Sequence, residues 1–211
     1  MFNQQIFNNQ QNSNNTQQNV ETMIVKKNSV EFYTGKSMLV IEKKPEDTYV
    51  TFTILPAIGQ QKYDSRNKIS TKMSQMELGV MIDALQSYRL MGSQGFNNVC
   101  NMMNTKQQNQ FISFYHESNK YKTIISLGPN KYGALMLFFS RTEKQTNNQN
   151  QVSFTILPQY RFLLERALIT FLDMTMEVIK EIQVRKPQQN QQYNQQQNYQ
   201  QNNQQFGTLF Q

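Results

Sequence analysis

The stretch KISTKMSQMELGVMIDALQSY, Lys68 to Tyr88, changes period in its middle and decides the fold class. Over Lys68–Met73, Ile69, Thr71 and Met73 point one way and Lys68, Ser70 and Lys72 the other, the alternation of a half-buried strand. At Ser74 the pattern changes. Ser74-Gln75-Met76-Glu77 has the form of a capping box, in which the serine hydroxyl accepts from the Glu77 amide and the Glu77 carboxylate reaches back to the Ser74 amide. Met73 and Leu78 stand where a hydrophobic staple would place them. Leu78, Met81, Ile82, Leu85 and Tyr88 then recur at helical spacing, which predicts an amphipathic helix that stops at Gly92.

Upstream, the chain reads as short strands punctuated by turn residues. VEFYT (Val30–Thr34) ends at Gly35. SMLVIEKK (Ser37–Lys44) is closed by Pro45-Glu46-Asp47. YVTFTIL (Tyr49–Leu55) alternates Val50, Phe52 and Ile54 against a hydroxyl-rich face, and is expected to end at Pro56. Downstream of a polar connection containing TKQQNQ, the order begins again with Phe111–Glu117, Lys122–Leu127, Gly133–Thr142 and Gln151–Leu157. Pro158 then opens a second helix striped by Leu164, Leu168, Phe171, Thr175, Val178 and Ile182, predicted to run to about Arg185. Four strands and a helix, written twice with hairpin-length links, predict an α+β fold with antiparallel sheets rather than βαβ units. FTILP occurs at both Phe52 and Phe154, but in the third strand of one block and the fourth of the other. That identity is out of register with the repeat.

Residues 1–19 and 187–211 are Gln/Asn-rich and carry no Asp, Glu, Lys or Arg, so they read as disordered tails around one domain over 20–186. Within that domain the first repeat is read as 28–92 and the second as 110–186. All 21 basic and 14 acidic residues fall inside it, giving +7. The excess lies in the strand regions, a distribution that suits a polyanion. Cys100 is the single cysteine, which excludes an intramolecular disulfide and a Cys-based zinc site and suits a reducing compartment. No apolar run approaches the ~20 residues of a membrane span. No secretory or transit signal is recognisable at the start, so a cytoplasmic, nuclear or nucleoid setting is expected rather than an organelle.

Nothing in the chain assembles a nucleophile, base and acid, a Gly-rich phosphate loop or a metal-ligand set, so neither an enzyme nor a cofactor is expected. His116, the only histidine, alternates with Ile112 and Phe114 and reads as a packed or surface residue. Interleaved basic and aromatic residues on strands are the stronger signal. In the first half these are Phe32, Tyr33, Lys36, Lys43, Lys44 and Tyr49. In the second they are Tyr115, Tyr121, Lys122, Lys131, Tyr132, Phe139 and Arg141. A single strand of nucleic acid calls for cations along its phosphates and aromatic faces for unstacked bases.

TGKSML (Thr34–Leu39), PAIG (Pro56–Gly59), KYDSRNK (Lys62–Lys68) and SQMELG (Ser74–Gly79) stand in the order and near the spacing of motifs in the Whirly family, which this half of the chain resembles. The second half resembles that family mainly in layout, with VSFTILPQYRFLLERALITFL (Val152–Leu172) as its last strand and helix. The resemblance implies two ββββα repeats forming two packed antiparallel sheets with two helices. It also implies a homotetramer assembled through the helices, with single-stranded DNA along the sheet edges. Lys36 matches the second lysine of a family motif linked to long strands and higher assembly; Thr34 stands where the family has lysine. Lys62, Tyr63, Asp64, Arg66 and Lys68 match a loop and strand near the binding edge. The expected function is a largely sequence-independent single-stranded DNA-binding protein for DNA maintenance or replication. RNA binding or annealing on the same fold is the alternative, and a structural assembly protein driven by the Gln/Asn tails is the second. No small-molecule substrate and no membrane partner are expected.

Overall fold

The computed structural model describes residues 23–60, 62–103 and 111–207, with side chains described as far as Gln183. The first sheet contains β1 (Met23–Lys26), β2 (Ser29–Tyr33), β3 (Ser37–Glu42), β4 (Val50–Gly59), β5 (Lys62–Tyr63) and β6 (Ile69–Met73), followed by helix α1 (Gln75–Met102). The second contains β7 (Ile112–Glu117), β8 (Tyr121–Pro129), β9 (Leu135–Glu143) and β10 (Gln149–Thr155), followed by helix α2 (Pro158–Gly207). Both sheets are antiparallel. The first runs β1-β2-β3-β4, with β5 and β6 both pairing β4; the second is the meander β10-β9-β8-β7. The architecture is the α+β arrangement of two sheets and two helices.

Alternation sets the inner faces. Leu39, Ile41, Val50, Phe52, Ile54, Ile69 and Met73 are fully enclosed on the first sheet, as are Ile125, Leu127, Leu135 and Leu137 on the second. The sheets meet where β10 approaches β3. The Ser37 hydroxyl donates to the Ser153 carbonyl at 2.7 Å. Phe32, Phe154 and Tyr160 pack together there, with ring centroids 5.4–6.5 Å apart. The helices are tied across the core by Glu165, which is 4% exposed. It accepts from Arg89 Nε at 3.0 Å and from Gln86 Nε2 at 3.2 Å.

The expected strands are present, and four features differ. β1 pairs β2 across the two-residue Lys27-Asn28 turn, a hairpin ahead of the expected first strand. β4 does not end at Pro56. The Pro56 carbonyl accepts from the Asp64 amide, and the Ala57 amide donates to the Lys36 carbonyl, each at 2.9 Å, so the ladder steps past the proline to reach β5. The helix expected to stop at Gly92 does leave helical geometry there, at φ 59° and ψ −144°, but a second helical arm follows and packs back through Phe96, Val99 and Cys100. The backbone of α2 continues through Pro187 to Gly207, beyond the end expected near Arg185. Gln is a good helix former, and no glycine lies between Pro158 and Gly207 to stop the helix. The tail reading of 1–19, the TKQQNQ connection and residues 208–211 lie outside the described residues, and the tail reading of 187–207 falls on this helical backbone.

The turn at Gly92 needs its glycine, and so does the packing of the arm beyond it. A Cβ on Gly95 would stand 2.2 Å from the Ser87 carbonyl oxygen, which is backbone and cannot swing aside. Gly92 occupies a conformation nearly closed to other residues. Gly95→Ala and Gly92→Ala are each expected to cost about 1–3 kcal/mol in urea denaturation. Wild-type midpoints in both would contradict this folded-back arm.

Candidate nucleic-acid interface

β6 pairs only with β4 among the described residues, so one long edge of the first sheet is open. Its inward residues Ile69, Thr71 and Met73 are buried, which turns Lys68, Ser70 and Lys72 outward along one line. Residues two apart on a strand stand ~7 Å apart, so this edge is a ruled row of polar and cationic groups. Arg66, exposed in the preceding loop, extends it. The Ser70 hydroxyl is 2.8 Å from that of Thr53 on β4.

The row opens into a cleft of about 480 Å³ between the sheets. Ser70, Thr71 and Lys72 of β6 form one wall; Tyr115, His116, Tyr121, Thr123 and Arg141, from β7, β8 and β9, form the other. Cations lie over aromatic faces here. Lys72 Nζ is 3.9 Å from the centre of the Tyr49 ring. The Arg141 guanidinium is 4.8 Å and Lys120 Nζ 5.1 Å from the centre of Tyr121. Tyr115 is 63% exposed. It also lines a shallow groove of about 650 Å³ on the outer face of the second sheet. There Phe111 and Phe138 meet edge to face at 5.4 Å, among Ser113, Ser126, Ser140 and Gln151.

The loop carrying Arg66 is shaped by Asp64. Its carboxylate accepts from the Arg66 amide at 2.8 Å, the Asn67 amide at 3.3 Å and the Asn67 side chain at 2.7 Å. Asn150 donates to the Asn67 carbonyl at 3.0 Å and so ties the loop to β10. Tyr63 packs beside Tyr33 at 5.7 Å and donates to the Thr34 carbonyl at 3.0 Å, bracing the turn that exposes Lys36. Burial raises the Tyr63 hydroxyl pKa; burial and the Glu31 carboxylate beside it raise that of Tyr33, so both stay neutral donors.

The expected contact residues therefore divide. Arg66, Lys68, Tyr49, Tyr115, Tyr121 and Arg141 share the β6 row and its cleft. Lys122 is exposed on β8 next to Tyr121, and Tyr33, Lys36, Lys62 and Tyr63 gather where β5 pairs the end of β4, before the Arg66 loop. Three expected contacts are enclosed. Phe32 and Phe139 are core residues at 0% and 1% exposure, because the strand alternation turns them inward. Lys43 is also buried, its ammonium donating to the Lys44 and Pro45 carbonyls, which leaves it no reach to a ligand. Lys44 is exposed in the β3–β4 turn. Lys131 and Tyr132 form the tip of the β8–β9 turn, held from below by the Tyr88 hydroxyl on the Gly133 carbonyl.

Sequence reasoning passed over Lys72, His116, Phe111 and Phe138. Lys72 was visible as an outward strand residue; the rest needed the register of β7 with β8 and β9. Ion pairing separates the cations further. Lys120 and Lys144 are engaged by Glu143 and Glu117 at the hairpin tips, and Arg89 by Glu165. Among the described residues, Arg66, Lys68, Lys72, Lys122 and Arg141 have no carboxylate within salt-bridge distance. No cluster of metal-ligating side chains is present, and no helix is long and apolar enough to cross a membrane, among the described residues.

No protein-family model and no curated protein matches the sequence. Solved structures do match the fold. The crystal structure of WHY3 from Arabidopsis thaliana superposes with a TM-score of 0.54 at 17% identity, covering 74% of this chain and 92% of its own. The plant transcriptional regulator PBF-2 gives 0.53 at 18%, over 78% and 91%. WHY1 from Arabidopsis thaliana gives 0.51 at 15%, over 70% and 89%. The fold is that of the Whirly proteins. Identity this low places the likeness in the backbone, and the two sheets and two helices are its content. In this Whirly fold the β6 edge and the cleft beside it are where free cations and exposed rings coincide.

Asp64 gives the row a checkable pH dependence. Its hydrogen bonds from the Asn67 side chain and the Arg66 amide lower its pKa. A lowered folded pKa means that the turn's contribution is present above the ordinary carboxylate value of about 3.9 and is lost as pH falls through the depressed one. The Arg66 and Asn67 amide resonances are expected to hold still from pH 7 to about 4 and to move only below it. Movement centred above that value would contradict the arrangement.

Proposed function

We propose that the protein binds single-stranded nucleic acid, DNA by preference and with little sequence selectivity, and protects or organises exposed strands during DNA maintenance. The observation that carries this reading is the row Arg66, Lys68, Lys72 and Arg141, none of them in a salt bridge among the described residues, bordered by Tyr49, Tyr121 and Tyr115. Phosphates lie along the β6 edge, while bases unstacked from one another rest on the tyrosines and continue toward Phe111 and Phe138. Such stacking contributes ~1–3 kcal/mol per base and tolerates any base. A duplex keeps its bases stacked inside and gains only the charge. The Whirly fold, shared with a protein described as a plant transcriptional regulator, supports nucleic acid as the ligand class. Four protomers join through α1 and α2, whose exposed Leu90, Met91, Phe162 and Leu163 provide apolar surface for the contact.

On this reading each phosphate contact contributes about −0.7 to the slope of log affinity against log salt. Arg66→Glu, Lys68→Glu and Lys72→Glu together are expected to flatten the slope by about 2 and to weaken binding strongly. These side chains are exposed, so the melting temperature should hold. Matched single-stranded DNA, duplex DNA and RNA oligonucleotides complete the test. Equal, salt-insensitive binding to single strands and duplex overturns the proposal, and a clear preference for RNA moves it to RNA annealing through 2′-hydroxyl contacts.

A further inference from the structure

The cleft contains the chain's only imidazole, and no cation–aromatic contact among the described residues uses it. His116 Nε2, itself enclosed and in no hydrogen bond among the described residues, lies 3.4 Å from Glu77 Oε1, although both side chains are about one-fifth exposed. The other oxygen of that carboxylate is held in place. Glu77 Oε2 accepts from the Ser74 amide and the Ser74 hydroxyl, each at 2.8 Å, as the reciprocal half of the α1 capping box. The helix cap thus fixes an anion against a titratable ring in the wall of the cleft.

The surrounding charges leave that ring as the variable one. Lys72 of β6 and Arg141 of β9 have no carboxylate within salt-bridge distance among the described residues, although Arg141 stands close enough to Glu143 to help lower its pKa. Glu117 of β7 is taken up by Lys144, which lowers its pKa, and Glu143 of β9 is lowered by Thr146 and Lys120. Lys120 of β8 is kept charged by Tyr121 and Glu143. Tyr115 and Tyr121 are the remaining titratable groups of the walls. Histidine is the side-chain type whose charge changes between about pH 5 and 8. With a neutral ring, the Glu77–His116 pair carries one negative charge beside Lys72 and Arg141; with a protonated ring it carries none.

We infer that His116 is a proton-operated affinity control for the polyanion cleft, strengthening the grip on phosphate as pH falls and releasing it as pH rises. This rests on the nucleic-acid reading of the same cleft. Linkage fixes the sign, because a ligand that binds the protonated form better takes up a proton on binding. Protonation adds one positive charge at His116 in the cleft wall, equivalent to about one further phosphate contact. It steepens the salt slope by about 0.7, roughly a fivefold larger affinity change over each tenfold range of salt.

The test is binding of a fluorescent oligothymidylate to the full chain between about pH 5 and 8, at several salt concentrations. Thymine has no group that titrates in that range, so the ligand contributes no pH term. The wild type is expected to bind several-fold more tightly at the acid end, with the steeper slope. His116→Gln should lose the response, and His116→Lys should hold the acid-end affinity throughout. Glu77→Gln keeps a capping-box side chain and should raise the affinity at pH ~8 toward the acid-end value. Thermal melts of each variant verify folding. Salt-dependent binding that is flat with pH in the wild type, or a response that survives His116→Gln, overturns this inference alone. Absence of oligonucleotide binding at any pH in low salt overturns it together with the reading beneath it.

Discussion

The packing of Phe32, Phe154 and Tyr160 is the contact on which the rest of the molecule depends. It joins the first sheet, the second sheet and the start of α2 in one cluster of rings. The Tyr160 hydroxyl also donates to the Tyr33 carbonyl at 3.1 Å, and Ser37 bonds across to Ser153 beside it. With the sheets fixed to each other there, β6 on one and β7, β8 and β9 on the other are left facing across a cleft. The cluster sets the distance between the two walls.

An open edge strand is a liability, since unpaired backbone groups invite pairing with another chain, and lysines on edges are a common defence. β6 carries Lys68 and Lys72 and is guarded in that sense. Protection from aggregation would be complete with cations paired to neighbouring acids, as Lys120 and Lys144 are at the hairpin tips. Leaving Arg66, Lys68, Lys72 and Arg141 out of salt bridges among the described residues maintains a positive potential that a solvated edge does not require. Rings lie under two of these cations, so a base would take a face of Tyr49 or Tyr121 as the covering Lys72 or Arg141 moves onto its phosphate.

Much of the fold was legible in the sequence. The capping box at Ser74 forms with both of its hydrogen bonds, and the inward set Ile69, Thr71 and Met73 is buried as its alternation required. Departures came where tertiary contacts override a local stop signal. Pro56 interrupts one ladder step without ending β4, and Gly92 ends one helical arm while a second packs on it through Gly95. The candidate site was legible only in part. Exposed cations and tyrosines could be named from alternation, but Phe32 and Phe139 share the same composition signal and lie in the core. Lys43 shows the same limit, as a turn can enclose a lysine without any pattern announcing it. The meeting of Lys72, His116 and Glu77 joins β6, β7 and α1 and depends on sheet packing, which no local spacing encodes.

The central claim is that the β6 edge, the adjoining cleft and the aromatic groove beyond it form one continuous track for an unpaired strand. Photo-crosslinking of a 5-bromouridine-substituted single strand, with the linked residues mapped by mass spectrometry, tests it most directly. The track predicts links at Tyr49, Tyr115, Tyr121, Phe111 and Phe138, and their loss when salt releases the strand. Links confined to the exposed faces of α1 and α2, or to the Lys131-Tyr132 turn, would contradict it.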